Sequence, residues 1–107
     1  MAEEQYTHKL TAILYADVSC YSRLTSQDEA GTHSRVMQML DFASTAVGTA
    51  GGTVLRYSGD AILAEFSSVL KSVQTAMDIQ VELEKSNRDL SEADRVEIRI
   101  GLNMGEV

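Results

Sequence analysis

The stretch Gly52–Phe66, GTVLRYSGDAILAEF, predicts two short strands joined by a tight turn. β-Branched and other apolar residues flank the turn on both sides, which is typical of a β-hairpin. Gly59 can take the positive φ that such a turn often needs. The hairpin presents Asp60 at its tip, where an aspartate is commonly only a turn former because its side chain bonds its own backbone. The rest of the chain decides whether Asp60 also does chemistry.

A nearly continuous apolar run, LTAILYADV, occupies Leu10–Val18. The run is too short for a typical helix and predicts a strand that is buried on both faces. Asp17 lies at the C-terminal end of this strand. Because burial of a lone carboxylate is costly, Asp17 requires a partner, a metal ion or solvent. The pattern then breaks at Ser19–Ser22, which predicts a tight loop.

Two helices are predicted around the hairpin. A capping box at Ser26–Glu29 marks the start of the first helix. Its apolar stripe comprises Val36, Met39, Leu40, Ala43 and Val47, and it ends at Gly48 and Gly51-Gly52. Ser67 or Ser68 can cap the second helix. Four apolar residues lie near one face of that helix: Leu70, Val73, Met77 and Val81.

The segment Val96–Met104 alternates apolar and polar residues and predicts a half-buried strand. The element order is therefore β-α-β-β-α-β, which is the α+β, ferredoxin-like arrangement of an antiparallel sheet with both helices on one face. We expect a polar lead-in over residues 1–9 and one domain over residues 10–107. Arg99 lies opposite the apolar side of the last strand, and we expect it to pair with an acid of a neighbouring strand.

In this topology the first and third strands lie side by side, so Asp17 and Asp60 are predicted neighbours. Two carboxylates at a strand edge can hold Mg²⁺, which proteins bind through one or two carboxylates plus substrate phosphates. Two such ions can clamp an in-line displacement at phosphorus. Consecutive backbone N–H groups from Val18 to Ser22 can form an anion nest for phosphate oxygens. Together these features predict a site for a nucleoside triphosphate.

The composition excludes several other classes of protein. The chain has 107 residues and a net charge of −7, from 16 acidic and 9 basic residues. An acidic surface repels a phosphate backbone, so binding to nucleic acid or to anionic membranes is not expected. The single cysteine, Cys20, cannot form an internal disulfide, and the location expected from cysteine usage is the cytoplasm. No apolar run approaches the roughly 20 residues of a membrane span, and the acidic N-terminus does not resemble a signal peptide.

Three stretches resemble the catalytic domain of class III nucleotidyl cyclases, the adenylate and guanylate cyclases. They are Ala16–Leu24 (ADVSCYSRL), Gly51–Phe66 and Ile98–Val107 (IRIGLNMGEV). The bacterial group has an A-D-V-x-G-Y-S-R-L loop and an R-I-G-I-N-x-G-[DE]-V strand. The order and spacing of the three stretches make the resemblance specific, and it runs from about residue 10 to residue 107. It implies that the chain corresponds to the N-terminal two-thirds of the domain.

The resemblance implies an activity and a set of site residues. Class III cyclases convert ATP or GTP to the 3′,5′-cyclic nucleotide and pyrophosphate, using two Mg²⁺ or Mn²⁺ ions per site. By this match Asp17 and Asp60 are the metal ligands, together with the carbonyl of Val18, and Arg56 reads the base. The phosphate-binding amides are those of Ser19, Cys20, Tyr21 and Ser22. The resemblance also implies a head-to-tail homodimer with its sites at the interface.

The chain departs from the family pattern at two positions. Cys20 replaces the loop glycine, and Arg56 replaces the usual base-reading lysine; ATP is favoured over GTP, and the sequence leaves the choice open. In the family the ribose and transition-state residues follow the last matching strand, so we expect the 107 residues alone to be inactive. One alternative is a catalytically silent, cyclase-like regulatory or dimerisation module. A diguanylate cyclase relative is a weaker alternative, because the turn reads SGDA instead of GG[DE]EF.

Overall fold

The computed structural model of the chain describes residues 10–19 and 29–106. Its elements, in chain order, are β1 (Leu10–Ser19), α1 (Glu29–Thr49), β2 (Thr53–Ser58), β3 (Ala61–Phe66), α2 (Val69–Asn87) and β4 (Glu97–Glu106). A short 3₁₀ turn over Glu92–Asp94 precedes β4. The predicted β-α-β-β-α-β order is confirmed.

The sheet has the strand order β2-β3-β1-β4, and every neighbouring pair is antiparallel. In the centre of β1, Leu14 lies between Ala64 of β3 and Leu102 of β4. β1 and β3 are thus adjacent although α1 and β2 separate them in the chain. This pairing confirms the α+β, ferredoxin-like prediction and brings the end of β1 to the tip of the β2–β3 hairpin.

The core lies between one face of the sheet and the two helices. Alternate residues of β1 enter it, and the apolar stripe of α1 packs against them, as predicted. The buried residues of these two elements are Ala12, Leu14, Ala16 and Val18 from β1, and Val36, Met39, Leu40, Ala43 and Val47 from α1. On the other face of β1, Tyr15 is 45% exposed. The prediction that β1 is buried on both faces is therefore wrong, because both helices cover the same side of the sheet.

The end of α1 is set by glycines. The Gly52 N–H donates to the Val47 carbonyl at 2.8 Å, the Gly51 N–H donates to the Gly48 carbonyl at 3.1 Å, and Gly51 has a φ of +83°. A left-handed glycine two residues after the end of a helix, with these two hydrogen bonds, is the usual glycine stop signal. The predicted end of α1 is confirmed, whereas the predicted capping box at Ser26–Glu29 lies mostly outside the described residues.

Gly52 is held against the ring of Phe66, which gives a first test of the fold. A Cβ at Gly52 would lie 2.7 Å from Cε2 of Phe66 and 3.0 Å from the Glu65 carbonyl oxygen. We expect Gly52→Ala to lower the free energy of unfolding by about 1–3 kcal/mol, because Phe66 must shift in a packed core. Urea unfolding followed by circular dichroism measures this change.

Gly48→Ala is the matched control, since a Cβ there meets nothing within 4 Å and the residue is helical. That substitution is expected to be neutral or to stabilise the protein by about 0.5–1 kcal/mol. Equal effects of the two substitutions would contradict the close packing of Gly52 against Phe66.

α2 begins at a serine cap, as predicted. The Oγ of Ser68 accepts from the Lys71 N–H at 3.2 Å. Its buried residues are Ser72, Thr75, Ile79 and Leu83. The hydroxyls of Ser72 and Thr75 donate to the carbonyls of Val69 and Lys71, at 2.7 and 2.8 Å, so their burial leaves no unsatisfied donor.

The apolar side chains that the sequence places near one face of α2 are exposed. The exposed fractions are 64% for Leu70, 38% for Val73, 62% for Met77 and 51% for Val81. The helix packs on the sheet with small polar residues beside Ile79 and Leu83, and its apolar stripe faces away from the core. Neither helix of the described part of the chain is long and apolar enough to cross a membrane.

Candidate metal and nucleotide site

The pairing of β1 with β3 brings Asp17 and Asp60 to the same end of the sheet. Asp17 is directly opposite Ala61, the residue that follows Asp60. The Val18 N–H donates to the Asp60 carbonyl at 3.0 Å, which ties the end of β1 to the hairpin tip. The prediction that the two aspartates are neighbours is confirmed.

Asp17 lies on the sheet face that the helices leave open. It alternates with buried Ala16 and Val18, and its own side chain is 19% exposed. Arg99 is directly across from it on β4. The guanidinium donates through Nε to Oδ1 and through a terminal nitrogen to Oδ2, both at 3.1 Å. This bidentate pair confirms that Arg99 binds an acid of a neighbouring strand, and that acid is the predicted metal ligand itself.

Asp60 occupies the tip of the hairpin between Ser58 and Ala61, which face each other across the turn. It is half-buried. Among the described glycines only Gly51 has a positive φ, so the turn forms without the positive φ that we expected at Gly59. The backbone of Asp60 lies beside that of Asp17 and Val18, at the end of the sheet where β1 meets the hairpin.

The donor chemistry of this end of the sheet fits a divalent cation that a nucleotide completes. Within the described ranges no cluster of three or more Asp, Glu, His or Cys side chains could hold a metal. Two carboxylates with one carbonyl, that of Val18, match Mg²⁺ sites in which phosphates and water supply the remaining ligands. To bind such a cation, Asp17 would have to release the Arg99 guanidinium. Because the Arg99 side chain is 71% exposed, water screens the ion pair and the exchange costs little.

The predicted phosphate loop is only partly within the described residues. Ser19 ends β1, is half-buried and pairs with Glu97 of β4. Cys20, Tyr21 and Ser22 lie outside the described residues. Of the four predicted phosphate-binding residues, the structure thus describes only Ser19, two residues after Asp17.

A bulge in β2 decides which face carries Arg56. The register shifts between Val54 and Arg56, so Arg56 is opposite Leu63 and Tyr57 is opposite Ile62. Regular pairing would place Arg56 on the helix side of the sheet. The bulge instead puts exposed Arg56 on the open face that carries Asp17, with β3 between them. Strand spacing and rise place the two Cα atoms roughly 12 Å apart.

Two features of the site were not predicted from the sequence. The first is that Arg99 binds Asp17, which the register of β1 with β4 decides. The second is the bulge at Leu55, the residue between Val54 and Arg56, which is 50% exposed. A bulge shifts alternation by one residue. The only signal for it was that strict alternation would have placed Arg56 with the buried residues.

Tyr57 anchors the hairpin to α1 on the helix side. Its hydroxyl donates to Oδ1 of Asp41 at 3.5 Å. Burial, and then the Asp41 carboxylate, raise the pKa of Tyr57 above its ordinary value of 10.0. Because the folded state favours the neutral phenol, this contribution to stability is complete below the ordinary pKa. It is lost as the pH rises through the raised folded pKa.

We expect the wild-type chain to lose more unfolding free energy than Tyr57→Phe as the pH rises above the ordinary tyrosine pKa of 10.0. Urea unfolding at each pH measures the difference, and the phenolate absorbance of the wild type and the variant identifies the titrating group. Parallel stability curves for the two proteins would contradict the raised pKa.

Comparison with known proteins supports the resemblance. No family model matches the chain. A protein of Rhizobium meliloti (strain 1021) named "Putative adenylate cyclase 3" is 37% identical over 108 residues, covering 100% of this chain and 18% of the relative. The crystal structure of an adenylate/guanylate cyclase/hydrolase from Silicibacter pomeroyi is 30% identical with a TM-score of 0.77. The match covers 94% of this chain and 58% of that one.

A bacterial light-regulated adenylyl cyclase shares the fold, with a TM-score of 0.82 at 21% identity over 94% of this chain and 55% of its own. The chain thus spans little more than half of these two solved relatives and about a fifth of the curated one. Nearly all of the described residues take part in the match. The chain is therefore related, over nearly its whole length, to part of the catalytic domain of the class III nucleotidyl cyclases.

Proposed function

We propose that residues 10–107 form part of a nucleotidyl cyclase catalytic domain that converts ATP, or GTP, to the 3′,5′-cyclic nucleotide and pyrophosphate. The observation that carries this proposal is the β1–β3 pairing, which sets Asp17 beside Asp60 at one end of the sheet. The relatives described as adenylate and guanylate cyclases support the same class of reaction. We also propose that the protein acts in cyclic-nucleotide signalling in the cytoplasm.

The proposed role of Asp17 and Asp60 is to hold two divalent cations, Mg²⁺ or Mn²⁺, with the Val18 carbonyl as a further ligand. When bound, such ions lower the pKa of a hydroxyl nucleophile and neutralise the charge of a triphosphate. The protein supplies the position: Asp17 is fixed by pairing on both sides, with β3 and with β4. Ser19–Ser22 is the proposed amide nest for phosphate oxygens.

The proposed binding partner of Arg99 depends on whether a cation is bound to Asp17. In the structure the guanidinium neutralises Asp17. A divalent cation on Asp17 would take over that role and release a guanidinium whose fork matches phosphate oxygens. Arg99 would then bind the triphosphate that arrives with the metal.

Arg56 is the proposed base-reading residue. Its Cα atom lies roughly 12 Å from that of Asp17, across two strand spacings. This distance fits a dimer in which Arg56 and Asp17 of the same chain serve two different sites. A head-to-tail homodimer, in which each chain lends Arg56 to its partner's site, would use both residues. ATP is the proposed substrate, with GTP as the alternative.

A catalytically silent module is a second candidate function, and the Asp17–Arg99 pair favours it. The Arg99 guanidinium donates to both oxygens of Asp17, the proposed metal ligand. Such an arginine can neutralise the carboxylate in place of a cation. The cysteine at position 20 and the arginine at position 56 are also departures from the family pattern. Such a module would bind nucleotide without turnover, or bind only a protein partner.

Cyclic nucleotide formation distinguishes the two functions. The assay uses a longer protein that contains these 107 residues and has the length of the solved cyclase domains. We expect this protein to form the cyclic nucleotide from ATP in the presence of Mn²⁺. Asp17→Asn or Asp60→Asn, each of which removes a proposed metal ligand, should lower the rate at least about 1,000-fold. Unchanged activity in either variant would contradict the cyclase proposal. Nucleotide binding without product would favour the silent module.

A further inference from the structure

A cavity of about 220 Å³ lies between the first half of α1 and the last turns of α2. Its wall includes five side chains from α1, α2 and the segment before β4: Arg35, Met39, Leu83, Ser86 and Val96. The cavity is on the helix side of the sheet, because three of these side chains, those of Met39, Leu83 and Val96, belong to the core. It is therefore separate from the open face that carries Asp17.

Arg35 is the one charged side chain among the described residues that line this cavity. Arg35 is half-buried, and its Nε is fully buried without a hydrogen-bond partner. Its guanidinium makes a single hydrogen bond within the described ranges, a long one of 3.4 Å to the Oγ1 of Thr32. A buried donor without an acceptor is costly, above all when it belongs to a charged group. An anion in the cavity would supply the acceptor that no described residue provides.

The sequence around Arg35 explains why the guanidinium has no acid beside it. The residues three and four positions away on α1, which are its neighbours on the helix surface, are uncharged: Gly31, Thr32, Gln38 and Met39. The chain has 16 acidic residues for 9 basic ones, so acids are in excess. The position of Arg35 on α1 and the uncharged wall around it leave its charge open to an anion from solution.

Two other features of the wall suit a carboxylate that carries a short apolar tail. Ser86 is at the exposed rim, and its hydroxyl donates to the Sδ of Met39 at 3.8 Å. A thioether is a weak acceptor, which a carboxylate oxygen would replace. The remaining wall is apolar, with Leu83 and Val96 buried beside Met39. A guanidinium matches a planar carboxylate, and the apolar wall favours a hydrocarbon tail over inorganic phosphate, which has none.

The volume of the cavity limits the size of the ligand. The value of about 220 Å³ is below the roughly 300–1,000 Å³ of pockets that hold drug-sized ligands. At about 30 Å³ for each water-sized group, the cavity holds roughly seven such groups, which corresponds to a monocarboxylate of about four to six carbon atoms. A nucleoside triphosphate is far larger, so the substrate of the proposed cyclase site does not fit here.

We propose that this cavity is a binding site for a small aliphatic monocarboxylate. The carboxylate accepts from the Arg35 guanidinium and from the Ser86 hydroxyl, so it joins α1 to α2. The hydrocarbon tail packs on the buried apolar wall. The site uses neither of the two aspartates and stands independently of the proposed function.

Titration of sodium butyrate into the isotope-labelled chain, at constant ionic strength, tests the proposal by nuclear magnetic resonance. We expect saturable shifts of the amides of Arg35, Met39, Leu83 and Ser86. Arg35→Gln should raise the dissociation constant for butyrate at least about tenfold, because the carboxylate loses its charge-assisted hydrogen bonds. Arg88→Gln, at an exposed arginine beyond the last turn of α2, is the matched control and should leave the dissociation constant unchanged.

Two other probes test the same contact on the unaltered chain. Butyramide keeps the tail without the charge and should bind at least about tenfold more weakly than butyrate. Inorganic phosphate has the charge without the tail and should cause no saturable shift of these amides. Butyrate should also raise the Tm of the wild type and of Arg88→Gln, but not that of Arg35→Gln, because a ligand of the folded state stabilises it.

Circular dichroism checks that each variant folds, and Asp17→Asn should bind butyrate like the wild type. The absence of any saturable shift with butyrate would overturn the proposal. Equal affinity of Arg35→Gln and the wild type would do the same. Butyramide or phosphate binding as tightly as butyrate would also overturn it, since the charge and the tail would then not be recognised together.

Discussion

Replacing Asp17 or Asp60 by asparagine is expected to weaken metal-dependent binding of ATP at least tenfold, or about 1.4 kcal/mol. Both carboxylates lie at one end of the sheet, and the Val18 N–H bonded to the Asp60 carbonyl fixes their backbones together. Asparagine keeps the size of each side chain and removes the charge that attracts a divalent cation. Calorimetric titration of ATP into the chain, with and without Mn²⁺, measures the effect.

The control for this experiment is Asp78→Asn, an exposed aspartate on α2. It removes the same charge from the protein and should leave ATP binding unchanged. If all three variants bind ATP as the wild type does, the aspartate pair is not the binding site. If all three weaken binding equally, the effect is one of net charge, and the proposed site is again contradicted.

Arg99→Gln is expected to change two affinities in opposite directions. Without the guanidinium, both oxygens of Asp17 become available, so the affinity for free Mn²⁺ should rise about tenfold. The affinity for the Mn²⁺–ATP complex should fall by at least tenfold, because the phosphates lose a charge-assisted donor. The ratio of the two affinities should therefore change by about a hundredfold, which the same calorimetric titrations report.

Arg88→Gln, an exposed arginine at the end of α2, is the matched control and should change neither affinity. A fall in both affinities for Arg99→Gln would mean that Arg99 only holds the sheet together near Asp17. A rise in both would remove Arg99 from the proposed phosphate contacts and favour a silent module in which it takes the place of a cation.

The fold could be predicted from the sequence because each element has a distinct local pattern. Three patterns can be read directly from the sequence: the alternation of β4, the apolar stripe of α1 and the hairpin turn at Ser58–Ala61. These patterns decide the order of elements, and the order leaves few arrangements for the sheet. The neighbouring positions of Asp17 and Asp60 follow from that arrangement.

The burial of individual faces could not be predicted in the same way. α2 buries Ser72 and Thr75 because their hydroxyls bond carbonyls of the same helix, which makes a polar residue acceptable in a tight contact with the sheet. Its apolar stripe stays outside. The exposure of Tyr15 could not be predicted for a related reason. β1 is rich in apolar residues on both faces, so its sequence does not show which face the helices cover.

The site could be predicted as a pair of carboxylates but not as an ion pair. The motif around Asp17 and the motif around Arg99 are 82 residues apart, and only the β1–β4 register brings them together. The face of Arg56 depends on a bulge at Leu55, for which the only signal in the sequence is that strict alternation would bury Arg56. Strand register and strand irregularity are long-range properties, so local patterns leave them open.

Paramagnetic line broadening by Mn²⁺, measured on the backbone amides of the isotope-labelled chain with ATP present, tests the central claim most directly. The account predicts that substoichiometric Mn²⁺ selectively broadens the amides of Asp17, Val18, Asp60 and Ala61, and that Asp17→Asn or Asp60→Asn abolishes this broadening. Broadening that centres instead on the acidic second half of α2, at Glu82 and Glu84, would contradict it. So would broadening around Asp60 that persists unchanged in both variants.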